Sequence, residues 1–183
     1  MSEWLSEAKA IDTAVYGAIA AGDTPALDVA MRGLSRAADH SKLWFAAAAA
    51  LALLGGPSGR LAARKGLVSL SIASCFANFV AKPLTARRRP TRREAEELAS
   101  RHVPMPRSSS FPSGHAASAF AFATGAAAAQ PVLSVPLRAL ATLVGYSRVH
   151  TGVHYPGDVV AGAFIGVSAA ELAGHLLDRS ARR

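Results

Sequence analysis

Cysteine is nearly missing from this chain. Cys75 is the only one in 183 residues, which excludes an internal disulfide and any zinc site built on thiolates. It lies within an apolar stretch and reads as a small core residue. Aromatic residues are scarce, at 7% against 51% hydrophobic overall, so Ala, Leu and Val supply the greasy character. Acids are few, 12 against 20 basic residues, and the formal charge of +8 favours phosphate groups, nucleic acid or acidic headgroups as partners without choosing among them. Lysine is rare as well. Sixteen of the basic residues are Arg and four are Lys, and the planar guanidinium fork suits phosphate oxygens, although a bias toward Arg codons has the same effect on composition. Long hydrophobic runs are lacking too: Leu43 to Gly59 gives 17 uncharged residues and Gly66 to Ala81 gives 16, against the roughly 17 to 25 of a spanning helix. By hydropathy a soluble helical bundle stays open beside a membrane protein.

What is present falls into apolar blocks separated by charged connectors, a layout that favours membrane spans with polar loops. Length predicts one domain, 1–183, read as interfacial helices over 1–40 and a helical bundle over 41–178. Apolar Trp4, Leu5, Ala8, Ile11, Val15 and Ile19 recur at helical spacing among acids and one Lys, which predicts an amphipathic helix over 3–21 lying at an interface. The acids Glu3, Glu7 and Asp12 precede no basic stretch leading into an apolar run, so a cleaved signal peptide is not expected. Thr24-Pro25 reads as an N-cap followed by a first-turn proline, opening a second helix to about Asp39. Spans are expected at 43–56, 66–81, 113–130, 137–147 and 156–177. The first pair forms a hairpin through a basic loop at 57–65, and Pro131 and Pro136 break the chain between the third and fourth. Residues 82–107 read as a charged connector with a short helix near 91–101. The expected fold class is all-α, an integral membrane bundle of about five spans, with a soluble helical bundle as the alternative.

Three segments stand out where apolar blocks meet loops. Lys82, Arg89 and Pro90 form K-x6-R-P; Pro112-Ser113-Gly114-His115 follows; and Ser147-Arg148, His154 and Asp158 form S-R-x5-H-x3-D. In this order and position they resemble the signature of the type-2 phosphatidic acid phosphatase superfamily, which also contains vanadium haloperoxidases and bacterial acid phosphatases. All three motifs are complete, and the likeness is close over 82–158. It implies a lipid phosphate phosphatase of the bacterial plasma membrane that acts through a phosphohistidine, with no metal and no cofactor. The implied partners are the bilayer and a lipid phosphate: an isoprenoid phosphate or diphosphate, phosphatidic acid or phosphatidylglycerol phosphate. The short chain, rich in Arg and Ala, resembles small actinobacterial members, which adds a polyprenyl-linked sugar phosphate. Larger relatives have six spans, and here the first is reduced to an interfacial segment. The resemblance implies an extracytoplasmic site, yet the 82–107 loop is more basic than 57–65, against the positive-inside tendency; phosphate binding accounts for part of that excess.

If the spans alternate in direction, Lys82, Ser113, Arg148 and Asp158 all fall on one face of the membrane. Charges at a membrane edge are costly without a task. A phosphate monoester needs its oxygens neutralised and an in-line nucleophile, so Lys82, Arg89 and Arg148 are assigned to a cationic clamp. Each alone would read as an interfacial anchor. Ser113 is expected to cap a helix whose first amides face an anion, with Gly114 allowing close backbone approach. His154 is the candidate nucleophile, and Asp158 fixes its tautomer; alone, Asp158 would be a favourable acid at a helix start. His115 is the candidate general acid, and alone it would read as a structural histidine. The spacing of His150 and His154 invites a metal pair, which lacks a third ligand. His40, His102 and His175 receive no role. The rivals are a non-enzymatic lipid-phosphate-binding protein and a vanadate-dependent peroxidase. A nucleic-acid partner is not expected, because the basic loop has too few aromatic residues for base stacking.

Overall fold

The computed structural model describes residues 3–92 and 101–180, and within them every regular element is helical. Seven α-helices follow in order: α1 (Glu3–Ala20), α2 (Pro25–Ala37), α3 (Lys42–Leu54), α4 (Gly56–Cys75), α5 (Gly114–Ala127), α6 (Ser134–His150) and α7 (Pro156–Ser180). The short helix expected near 91–101 falls on residues 93–100, outside the described residues.

The bundle is organised around α5. Eleven of its fourteen residues are buried, most of them alanine, so α4, α6 and α7 pack closely around a thin central rod. Phe122 and Trp44 of α3 meet near its middle, with ring centroids 5.4 Å apart, and small residues let helix axes approach while two large rings fill the remaining space. The hairpin of α3 and α4 is tighter than the sequence suggested. Gly56 has a φ of +61°, the left-handed conformation that glycine adopts without penalty, and α4 begins directly there with Pro57 in its first turn. The expected loop at 57–65 is therefore helix, and Arg60, Arg64 and Lys65 lie along α4. At its other end α4 runs into a π-turn, Phe76–Ala81, closed by the Lys82 amide donating to the Ala77 carbonyl at 3.0 Å. The wider turn shifts the register by one residue and so sets the direction in which Lys82 leaves the helix.

Two local expectations need correction. Thr24 stands before α2 with Pro25 in the first turn, but its hydroxyl donates to Asp28 Oδ1 at 3.0 Å and caps no backbone amide. Pro136 does not break the chain. It lies in the first turn of α6, where no amide donor is needed.

The N-terminal helices are more than an interfacial appendage. On α1 the apolar stripe faces outward, with Trp4 and Ile11 both well over half exposed, while Asp12 is buried against the bundle. Among the described residues one helix, α7, is long and apolar enough to cross a membrane, and it exposes Val160, Phe164, Leu172 and Leu176. By contrast α3 and α5 have 13 and 14 residues, about 20 Å of helix, against a hydrocarbon core of about 30 Å.

Candidate active site

The ends of α4, α5, α6 and α7 that carry the three motifs meet at one end of the bundle. Ser113 holds the N-cap of α5 in extended backbone geometry, its hydroxyl accepting from the Ala116 amide at 3.4 Å. Its own amide donates to the Asp158 carbonyl at 2.9 Å, so the start of α5 is fastened to the first turn of α7. A Cβ on Gly114 would sit 3.4 Å from Lys82 Nζ and 3.5 Å from Asn78 Oδ1. The ammonium thus lies against the helix start, within contact distance of where a side chain at this position would begin. Asn78 Oδ1 accepts from Lys82 Nζ at 2.8 Å, one helical turn back. Burial first, then the nearby guanidiniums of Arg89 and Arg148, push the Lys82 pKa down.

Arg89 reaches across from the connector. Its guanidinium donates to the carbonyls of Val153 at 2.7 Å, Ser108 at 3.0 Å and Ser109 at 3.2 Å, and one Nη1 lies 3.3 Å from His154 Nε2. A guanidinium only donates. Nε2 therefore presents its lone pair on this side, and the ring proton belongs on Nδ1. That nitrogen faces Asp158 Oδ2 at 3.5 Å without completing a hydrogen bond. His154 sits in the loop between α6 and α7, and it is buried. Burial, opposed mainly by Asp158, pushes its pKa down to about 4, so the imidazole is neutral at physiological pH.

Arg148, in the last turn of α6, is 2% exposed. Nη1 donates to the Ser35 hydroxyl and lies 3.6 Å from Asp39 Oδ1, while Nε is buried with no hydrogen-bond partner in the protein. Buried guanidinium donors are rarely left unmatched, and an anion in the clamp would satisfy this one. His115 Nε2 lies 2.9 Å from Asp39 Oδ1. A cleft of about 160 Å³ opens beside it, lined by Lys82, Gly114 and His115 together with Asn78, Trp44 and His40.

All eight residues singled out by the sequence, Lys82, Arg89, Ser113, Gly114, His115, Arg148, His154 and Asp158, come together here. His150 does not join them. It is the buried last residue of α6 and faces α2, with Nε2 2.7 Å from Asp28 Oδ1, which also accepts from Arg101 Nε at 2.8 Å.

Sequence reasoning missed an outer layer. Asp158 Oδ1 accepts from Arg87 Nη1 at 2.8 Å, and Oδ2 accepts from the Ser110 hydroxyl and from the Tyr155 amide at 2.9 Å. Arg87 also pairs with Asp12 of α1, whose other oxygen accepts from the Gly157 amide at 2.6 Å. Only Asn78, four residues before Lys82, carried a helical-spacing signal. Asp12, Ser35, Asp39, Arg87 and Ser110 belong to no pattern that spacing reveals.

Positive charge thus surrounds a neutral imidazole, and a buried guanidinium is left with an unmatched donor; this defines a helical protein built to hold a tetrahedral oxyanion. Residues 62–181 match the PAP2 superfamily. The chain belongs to that superfamily. It is 34% identical over 170 residues to a decaprenylphosphoryl-5-phosphoribose phosphatase of Mycobacterium tuberculosis, covering 89% of this chain and 86% of that one. To the protein of the same name from Mycolicibacterium smegmatis it is 35% identical over 162 residues, 84% of this chain and 79% of the other. A lipid A 1-phosphatase of Rhizobium etli is 44% identical over 57 residues, 31% of this chain and 25% of that one. The fold is shared with the transmembrane PAP2 type phosphatidylglycerolphosphate phosphatase of Bacillus subtilis (TM-score 0.70, 23% identity, 94% of this chain and 87% of that one). It is shared also with Aquifex aeolicus LpxE (TM-score 0.69, 23% identity, 87% and 92%).

Proposed function

We propose that this protein is a membrane lipid phosphate phosphatase that works through a phosphohistidine on His154. The observation that carries the reading is the pairing of an unprotonated Nε2 at 3.3 Å from Arg89 with the buried, unmatched Nε of Arg148. In this reading the imidazole that attacks and the cations that hold its target stand together at one end of the bundle. Lys82, Arg89 and Arg148 neutralise the phosphate oxygens as charge builds, and the α5 N-terminus behind Ser113 and Gly114 adds backbone donors. Nε2 attacks phosphorus in line, the bond to the leaving oxygen breaks, and His115 protonates that oxygen. The Asp158 carboxylate, facing Nδ1, stabilises the positive charge that develops on the His154 ring. Water, deprotonated by His115, then attacks the phosphohistidine; phosphate leaves and both histidines return to their starting states.

The whole chain acts as one unit in this reading, since α1 and α2 supply Asp12, Ser35 and Asp39 to the site's surroundings. Helices α3 to α7 form five membrane passes. Exposed Phe45, Leu53, Phe79, Leu143 and Phe164 suit contact with lipid, whereas α5 is sheltered by its neighbours and need not match the bilayer thickness. The site opens on the extracytoplasmic side of the bacterial plasma membrane. The identity to decaprenylphosphoryl-5-phosphoribose phosphatases over most of both chains favours a phosphate carried by an isoprenoid-linked lipid over a glycerolipid.

The test is phosphate release in detergent from a polyprenyl phosphate, a polyprenylphosphoryl pentose phosphate, phosphatidic acid and phosphatidylglycerol phosphate. Release from a polyprenyl-linked substrate, retained in EDTA and inhibited competitively by vanadate, is expected. His154→Ala should lower it by at least about 10³-fold, the scale seen when a nucleophile is removed, with lipid binding largely kept. Release from none of the four, or EDTA loss restored by magnesium, contradicts the reading.

A further inference from the structure

The region between α2 and α3 has a backbone that demands explanation. Asp39–Ser41 forms a single 3-10 turn, and His40 and Ser41 lie at φ +54° and +59°, two successive non-glycine residues in the left-handed region. Each such residue costs on the order of 1 kcal/mol or more, and persists where the surroundings over-determine it. What this turn does is turn Asp39 inward. Its Oδ1 lies 2.9 Å from His115 Nε2 and 3.6 Å from Arg148 Nη1, and the hydrogen bond from His115 holds the Asp39 carboxyl below the usual carboxylate range. Within the described residues the other hydrogen-bonded carboxylate at the site, Asp158, is already engaged by Arg87, Ser110 and the Tyr155 amide. His115 itself stands beside the cations Lys82 and Arg148. An acid in that position needs an anion of its own.

We propose that Asp39 is a positioning residue for the proton-transfer step, forming with His115 a second His–Asp pair that complements His154–Asp158. This rests on the phosphatase reading above. Asp39 binds Nε2 and stabilises the imidazolium, while Nδ1, which has no hydrogen-bond partner within the described residues, gives its proton to the leaving oxygen. The balance closes: the His154 Nε2–P bond forms as the P–O bond breaks, the leaving alkoxide takes the His115 Nδ1 proton, and the neutral His115 ring keeps its Nε2 proton, hydrogen-bonded to Asp39. Ser35 belongs to the same support, because it accepts from Arg148 and leaves Asp39 to face the histidine.

A general acid matters in proportion to how poor the leaving group is, and this separates the proposal from a merely structural role. The experiment compares dodecyl phosphate, with a basic alkoxide leaving group, and p-nitrophenyl phosphate, whose phenolate departs without a proton. Asp39→Asn should lower kcat/KM, which reports only through departure of the leaving group, by about 10²-fold for the alkyl ester, the lower end of general acid catalysis. For the nitrophenyl ester kcat/KM should stay within a few-fold, which also shows that the variant is folded. Asp39→Glu should recover part of the alkyl activity. Adding Asp39→Asn to His115→Asn should cost little more than His115→Asn alone, because the two residues act as a unit. Equal losses on both esters, or loss on neither, overturn the proposal. A fall in KM at unchanged kcat also overturns it, since Asp39 would then only compete with phosphate for Arg148. Turnover of neither ester by the unmutated chain removes the phosphatase reading itself, an outcome separate from all of these.

Discussion

His154 is the proposed nucleophile, and its environment works in two directions. Removal from water favours the neutral ring that the proposed attack on phosphorus needs, while Asp158 favours the cation that would follow. With its pKa pushed down to about 4 in the folded protein, against about 6.5 in an unfolded chain, the unfolded state binds the extra proton between those values. Stability from this group is therefore present in full above about pH 6.5 and is lost progressively as pH falls toward 4. The shift corresponds to a few kcal/mol at most, on the order of 3. Thermal unfolding in detergent should show Tm falling across that window, and His154→Gln should flatten the fall; an unchanged slope in the variant contradicts the burial of a neutral imidazole. At this scale the eight motif residues were legible because chemistry fixes their types and the motifs fix their spacing. Asp39 and Arg87 were not legible. A carboxylate that meets a histidine 76 positions away leaves no local trace, and Arg87 is one of three successive arginines with nothing in the sequence to separate their tasks.

Helices carry these residues into register, and the contacts between helix ends decide how well. The N-terminus of α5 is pinned on α7, where a Cβ on Gly162 would come within 2.4 Å of the Ser113 carbonyl and 3.0 Å of Ala116 Cβ. Gly162→Leu should therefore push α5 away from α7, at a cost of about 1 to 3 kcal/mol or more. It should also lower kcat/KM, because Ser113, Gly114 and His115 move together. A fully active variant with unchanged Tm would contradict this packing. The helices α3, α5, α6 and α7 were predicted close to where they lie, since apolar blocks bounded by Gly, Pro and Ser mark their own ends. The start of α4 was hidden, because Arg60, Arg64 and Lys65 look like loop residues until Gly56 is seen to turn the chain in one step. The role of α1 was hidden by its own amphipathicity. Its apolar stripe identified a helix, but the buried group is Asp12, which reaches Arg87 and the α7 N-terminus, while the stripe is left to face outward.

At the scale of the whole molecule, a thin alanine-rich bundle with an outward apolar surface gathers Lys82, Arg89 and Arg148 at one end, where in the proposed reading a phosphate enters while a lipid tail stays among hydrocarbon. Belonging to the PAP2 superfamily and sharing its fold with transmembrane phosphatases agree with that arrangement. The span count was the part least legible, because burial inside a bundle and burial in lipid select the same residues, and a 14-residue helix such as α5 satisfies the first without being long enough for the second. The central claim is chemical, that phosphate passes through His154. It is tested most directly by mixing the detergent-solubilised protein with a polyprenyl-linked substrate radiolabelled in its terminal phosphate, quenching in alkali within one turnover, and mapping the label by peptide. The account predicts alkali-stable, acid-labile label on the peptide containing His154, absent in His154→Ala. Turnover with no protein-bound label, or label retained in His154→Ala, would contradict it.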